Sequence, residues 1–204
     1  MNERQNLPSA SSAHRYALCP GSFIAEQSAP ELPSGDDATL GTRVHAILAE
    51  ERVEAVTPEE QHLASLCRDH EREVVRAVFG DSIPFATRET RLWGYDNTLR
   101  RAWSGKPDVV YTDGDRALVI DYKTGRGEVT HATGNLQLRA LAVLVYEEFS
   151  ANEITVAIVQ PLAGKPSVCA YTREDVGVAW AEINDLMREV LKRGRQRNPS
   201  PEAC

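Results

Sequence analysis

The chain has only four cysteines in 204 residues, Cys19, Cys67, Cys169 and Cys204, and they are widely scattered. With no Cys-x-x-Cys pair, neither a zinc site nor a disulfide framework is indicated, and free thiols are expected. No apolar run approaches the roughly 20 residues of a membrane span, and the first residues lack the apolar core of a secretory signal. The expectation is a cytoplasmic protein with no membrane partner. Positive charge is also in deficit: 23 Lys and Arg against 30 Asp and Glu give a formal net charge of −7. That argues against a protein that coats nucleic acid by bulk electrostatics. Positive charge is concentrated locally, with Arg188, Lys192, Arg193, Arg195 and Arg197 near the C-terminus and Arg88, Arg91, Arg100 and Arg101 mid-chain. Each group reads either as a phosphate contact or as solvated charge of the kind favoured at helix ends. There is no internal repeat and no low-complexity tract. No glycine loop is followed by Gly-Lys-Ser/Thr, so phosphate-loop nucleotide chemistry has no footing.

What is present is an ordinary globular composition, 42% hydrophobic and 26% charged, long enough for one domain with a real core. Residues 1–10 and 195–204 are expected to fray. Ser11 or Ser12 caps a short helix ending at Cys19-Pro20-Gly21, and the Pro- and Ser-rich stretch from Ser28 to Asp37 reads as a loop. Leu40, Val44, Ile47 and Leu48 are spaced for a helix from about Thr39 to Val53, with His45 at the edge of the apolar stripe. Thr57-Pro58-Glu59-Glu60 starts a second helix running to Phe79, so residues 58–80 form a helical insertion. Phe85 to Trp93 alternates as one strand carrying Glu89. After two further strands and a Gly-containing loop come a helix from Leu136 to Phe149, a buried strand from Glu153 to Pro161 and a short strand from Ser167 to Tyr171. A last helix is capped by Thr172 and Asp175. Helix, three strands, helix, strand is an α/β class with a mixed sheet flanked by helices.

The chemistry concentrates between Gly105 and Gly125. The strands VVYT and ALVI are joined at Asp113-Gly114-Asp115, a hairpin turn signal. Asp108 opens the first strand after Pro107, and Asp121 closes the second, so the two acids meet at one end of the ribbon. Two carboxylates held together repel unless a cation lies between them, and oxygen ligands select Mg²⁺ or Mn²⁺. Lys123 shares a face with Asp121 by strand alternation. A metal-binding acid pair beside an ammonium suits phosphodiester hydrolysis. An Asp-x-Lys triplet alone is common in chains of this length, and Pro-Asp is ordinary turn chemistry. The weight lies in the two motifs standing one hairpin apart.

In this order the residues resemble the PD-(D/E)xK nuclease superfamily, with a restriction-endonuclease-like αβββαβ core. Val119-Ile120-Asp121-Tyr122-Lys123-Thr124-Gly125, followed by a helix with Asn135-Leu136-Gln137-Leu138-Arg139-Ala140-Leu141, is similar to the RecB-like exonuclease branch, which includes phage-encoded and CRISPR-associated members. Gly41-Thr42-Arg43-Val44-His45 matches the Gly-x-x-x-His signature of that branch. The opening Ser11-Ser12-Ala13-His14-Arg15-Tyr16 and the strand ending in Gln160-Pro161 are similar to its phage and prophage proteins. The resemblance implies a metal-dependent DNA exonuclease of phage or DNA-repair metabolism. His45, Asp108, Asp121 and the Tyr122 carbonyl would bind Mg²⁺ or Mn²⁺. Lys123 would be the catalytic lysine, with Gln137 ordering it or the DNA backbone. Arg43, Arg126, Arg139 and Tyr146 would contact DNA, either single strands or duplex ends. A recombinase or other phage or repair protein is the implied partner. Glu89 reads as a strand-surface glutamate, the alternative being an acid supporting the site.

Two departures from the branch pattern stand out. The position four residues after Gln137, usually tyrosine, is Leu141. Some relatives hold an iron–sulfur cluster with one early and three late cysteines. Here Cys19 matches the early position but three late ligands are missing, so no iron–sulfur cluster is expected. The competing reading is a catalytically inactive nucleic-acid-binding or regulatory module with the same fold.

Overall fold

The computed structural model describes residues 6–30, 35–125 and 127–200. Among the described residues there are six α-helices, α1 (Ala13–Leu18), α2 (Ser22–Glu26), α3 (Asp36–Leu48), α4 (Pro58–Phe79), α5 (Leu136–Phe149) and α6 (Arg173–Leu191). The seven strands among the described residues are β1 (Phe85–Arg88), β2 (Leu92–Tyr95), β3 (Arg101–Gly105), β4 (Val109–Thr112), β5 (Arg116–Tyr122), β6 (Glu153–Val159) and β7 (Ser167–Tyr171). Five strands make a mixed sheet in the order β1-β4-β5-β6-β7, while β2 and β3 pair separately. Only β5 and β6 are parallel in the main sheet, and α5 supplies the crossover that a parallel pair needs. This is the expected α/β core.

The sheet is buried on both faces, as the unbroken apolar runs of β5 and β6 require. Val44 and Leu48 of α3, with Leu63, Ala64, Cys67, Val74 and Phe79 of α4, cover Val109, Leu118, Ile120 and Tyr122. On the other face, Leu138, Leu141 and Val145 of α5 and Ile183 and Met187 of α6 pack on Val110, Val119 and Val156. Each such buried side chain contributes roughly 1.5–3 kcal/mol of burial free energy. The long α4 starts as its sequence dictates: Thr57 and Glu60 form a reciprocal capping box, with Pro58 in the first turn. It is no appendage, because its apolar stripe is half of one core layer.

Several expectations need correction. The single strand expected from Phe85 to Trp93 is two strands, broken at Glu89, whose φ of 48° lies in the left-handed region. The backbone there must leave the main sheet to start the β2–β3 ribbon, and β3 itself has no alternating pattern to announce it. The helix expected to reach Val53 ends at Leu48, and Glu50 has φ 62°. Part of the expected N-terminal fraying is replaced by pairing: the Pro8 carbonyl accepts from Ser104 N–H at 3.0 Å and Ala10 is buried. Near the other end, Gln196 accepts from Gly21 N–H at 3.2 Å, and Asn198 N–H donates to Cys19 Sγ at 3.1 Å. Cys204 lies outside the described residues.

One glycine is decisive for the site. A Cβ on Gly105 would lie 2.7 Å from side-chain carbons of both Leu141 and Leu144, so glycine lets the chain press against α5 three residues before Asp108 without displacing those leucines.

Candidate active site

Three elements converge at the open end of the main sheet: the start of β4, the end of β5 and the middle of α3. The register pairs Val109 with Ile120, and continuing it sets Asp108 opposite Asp121. Asp108 is fixed from two sides. Its Oδ2 accepts from the Tyr122 N–H at 2.6 Å, and its Oδ1 lies 3.1 Å from His45 Nδ1. His45 also stands edge-on to the Tyr122 ring, 6.0 Å between centroids. Gly41, one helical turn earlier on the same face as His45, makes this approach workable, since a Cβ there would sit 3.1 Å from Thr124 Oγ1.

A third acid joins them. Glu89, held by its N–H to the Asp108 carbonyl at 3.1 Å, offers a carboxylate oxygen within 4.8 Å of ligand atoms of His45 and Asp108. It is not a strand-surface residue: it stands at the bend between β1 and β2 and pairs with Lys106 at 2.6 Å. His45, Glu89, Asp108 and Lys106 line a cleft of about 380 Å³.

Asp121 faces the α5 side of the sheet, opposite to Tyr122, and is 4% exposed. Its Oδ1 accepts from Gln137 Nε2 at 2.6 Å, and its Oδ2 meets Lys123 Nζ at 2.7 Å. Lys123 Nζ also donates to Gln137 Oε1 at 3.2 Å, closing a triangle of three side chains. Gln137 is placed by the first turn of α5, which Asn135 caps by accepting from Leu138 N–H. The expected grouping is therefore split: His45 and Asp108 come together with Glu89, while Asp121 turns to Lys123 and Gln137.

The electrostatics follow from crowding acids at low exposure. Burial pushes the Asp121 carboxyl up; Lys123 opposes this, and the charge of Asp108 adds to it. For His45, burial disfavours the charged ring, but the Asp108 hydrogen bond and the fields of Asp108, Asp121 and Glu89 outweigh it and raise the pKa. The site thus concentrates negative charge, with Lys106 and Lys123 as its neighbouring cations. The Tyr122 carbonyl leaves β5 by the edge that faces Asp108. In an extended strand a residue's N–H and C=O leave by the same edge, and this N–H points at Asp108, whereas Lys123 N–H points away to Val159.

The expected DNA contacts fare differently. Arg43 is committed elsewhere, paired with Glu60 and donating to the Glu54 and Ala55 carbonyls. Arg139 pairs with Glu182 on α6 at 2.8 Å. Tyr146 packs against the core at the far end of α5 from Gln137. Arg126 lies outside the described residues. Lys106 escaped sequence reading because nothing in its spacing marks it. Cys67 is buried, and its thiol is pushed up to about 12 by burial, which excludes a thiolate nucleophile there. Among the described residues, no helix is long and apolar enough to cross a membrane.

Three comparisons with known proteins bear on the chain. No curated protein matches the chain. Among solved structures it is similar to SSO0001, at 13% identity over 95% of this chain and 80% of that one, with a TM-score of 0.44. An alkaline exonuclease from Laribacter hongkongensis matches at 11% identity over 92% of this chain and 87% of that one, with a TM-score of 0.44. A phage-related exonuclease from Haemophilus somnus 129PT matches at 12% identity, 90% and 91% coverage, and a TM-score of 0.44. The family model described as the PD-(D/E)XK nuclease superfamily matches residues 8–204. The chain belongs to the PD-(D/E)XK nuclease superfamily.

Proposed function

We propose that the chain is a metal-dependent deoxyribonuclease, an exonuclease hydrolysing DNA phosphodiester bonds in phage or DNA-repair metabolism. The observation that carries this is the grouping of His45, Glu89 and Asp108 ligand atoms within 4.8 Å, one residue pairing away from the Asp121–Lys123–Gln137 triangle. An imidazole nitrogen with carboxylate oxygens, in a partly buried cleft of surplus negative charge, is a donor set that fits Mg²⁺ or Mn²⁺. His45, Asp108 and Asp121, with the Tyr122 carbonyl, would hold the ion, and Glu89 is the additional acid that the fold supplies.

When bound, such an ion polarises a phosphate and lowers the pKa of a nearby water. The chain's own groups do the rest. Lys123, partly exposed beside the buried Asp121, directs N–H bonds to the attacking oxygen or to charge building on the phosphate. Gln137 holds both Lys123 and Asp121 in place, so the ammonium needs no reorganisation at the moment of attack. The hydrogen bond from Tyr122 N–H keeps one Asp108 oxygen engaged and its carboxylate plane fixed.

The test is incubation of end-labelled linear and circular DNA with Mg²⁺, with Mn²⁺ and with chelator. Linear DNA degraded only with the ions, and circular DNA spared, is the expected result. Cleavage that survives chelation would defeat the proposal. Retention of DNA without product in either ion would point instead to the inactive binding module.

A further inference from the structure

The β2–β3 ribbon springs from the candidate site, with Glu89 just before β2 and Asp108 just after β3. Its inner face is fully explained by packing. Leu92 and Trp103 are buried, and Trp103 Nε1 donates to Asn184 Oδ1 at 3.0 Å. Its outer face is not explained by packing. Trp93 is partly exposed there, with the Arg101 guanidinium 4.3 Å above its ring centroid. Arg100 and Arg101 are exposed, and Tyr95 is 42% exposed towards the tip.

The ribbon is locally cationic. Between Arg91 and Lys106 there are four cations, Arg91, Arg100, Arg101 and Lys106, against the single acid Asp96, in a chain of net charge −7. Asp96 is turned into the ribbon's own bend, accepting from the backbone N–H groups of Thr98 and Arg100 at 2.8 and 3.0 Å. A planar ring, a stacked guanidinium and a row of cations leading to an acid cluster match the chemistry of unpaired bases strung on phosphates.

We propose that the outer face of the β2–β3 ribbon is a track for single-stranded DNA, with a base stacking at Trp93 and phosphates met by Arg100, Arg101 and Lys106, leading a strand end to the His45–Asp108 cleft. This deepens the nuclease reading and rests on it for the direction of the track. Stacking serves any base, so the track selects strandedness rather than sequence.

The experiment measures binding of the full chain to fluorescein-labelled oligo-dT and to a blunt duplex, by anisotropy in chelator, across a salt series. Trp93→Ala should weaken oligo-dT binding by about 5- to 150-fold and leave the salt slope unchanged. Trp93→Phe should retain most of the affinity. Arg101→Gln should lower the slope of log affinity on log salt by about 0.7, one phosphate contact on a single strand. Thermal melts of each variant exclude unfolding as the cause, and Arg101→Gln, at an exposed site, keeps the test open should Trp93→Ala not fold. Wild-type failure to bind oligo-dT, wild-type-like binding by both Trp93→Ala and Arg101→Gln, or equal losses for strand and duplex would overturn the track. Because chelator removes turnover, this result stands or falls separately from cleavage.

Discussion

His45 and Asp108 stand 63 residues apart in sequence and meet through a 3.1 Å contact between Nδ1 and Oδ1. Neither could hold a cation alone, since one is a partly exposed helix residue and the other stands just ahead of a hairpin strand. Gly41 and the Tyr122 N–H bring them together. His45→Ala should therefore reduce Mn²⁺ affinity by at least about tenfold, the scale on which losing even an orienting partner costs a site. Isothermal titration of the folded protein measures this directly. Glu89→Gln should fall in the same direction, and unchanged affinity would remove Glu89 from the ligand set.

Lys123→Ala separates ion binding from chemistry. Its Nζ touches Asp121 and Gln137 but is not among the clustered ligand atoms. Cleavage of linear DNA should drop by about 10²–10³-fold, the usual loss for one stabilising donor, while Mn²⁺ affinity stays within about threefold. Gln137→Ala should show a smaller loss of the same kind, because it positions both partners. Equal losses of affinity and turnover in Lys123→Ala would mean that the ammonium only shapes the ion site.

The signature was legible because it is local: Pro107-Asp108 and Asp121-Tyr122-Lys123 sit one hairpin apart, and strand alternation fixes their facing. The five-stranded sheet followed from runs such as Val156 to Val159, which have no polar side to expose. What could not be read was the path between β1 and β4. Glu89 takes a left-handed backbone that any local pattern would dismiss for glutamate, and this one residue turns an expected strand edge into a wall of the site. The ion pairs of Arg43 and Arg139 were equally hidden, because each is made with a carboxylate on another helix, Glu60 and Glu182.

The Arg43–Glu60 pair makes a prediction about acid stability. Arg43, with help from Thr57, draws the Glu60 carboxyl down from 4.5 to about 2. A depressed folded-state pKa gives stability that is fully present above the unfolded value and is lost as pH falls through the folded one. The difference in melting temperature between wild type and Glu60→Gln should therefore be constant from pH 8 to about pH 5. It should then shrink steadily from pH 4.5 towards pH 2. Calorimetry across that range is the check, and a gap that widens on acidification would contradict the pairing.

Beneath the site, on the α4 side of the sheet, Glu71 anchors a buried network. Arg88 Nη2 donates to its Oε1 at 2.5 Å, Tyr111 Oη donates to the same oxygen, and Arg88 Nη1 reaches Tyr122 Oη at 3.4 Å. Glu71 is 4% exposed, so its charge has little water to fall back on, and Arg88 is its counterion. Removing one member strands the other: Glu71→Ala should cost about 3–5 kcal/mol, read from urea midpoints at constant m-value. Replacing the set together, Glu71→Leu with Arg88→Met and Tyr111→Phe, should recover most of that loss, because an apolar cluster of similar volume owes no desolvation. The network also lies directly under Tyr122, whose main chain grips Asp108, so the two outcomes carry different functional consequences. The single variant should disturb Mn²⁺ affinity along with stability, whereas the triple variant, refilled and stable, should leave it near wild type. A triple variant as unstable as the single one would mean that the buried charges themselves, rather than the filling of that layer, hold α4 against the sheet.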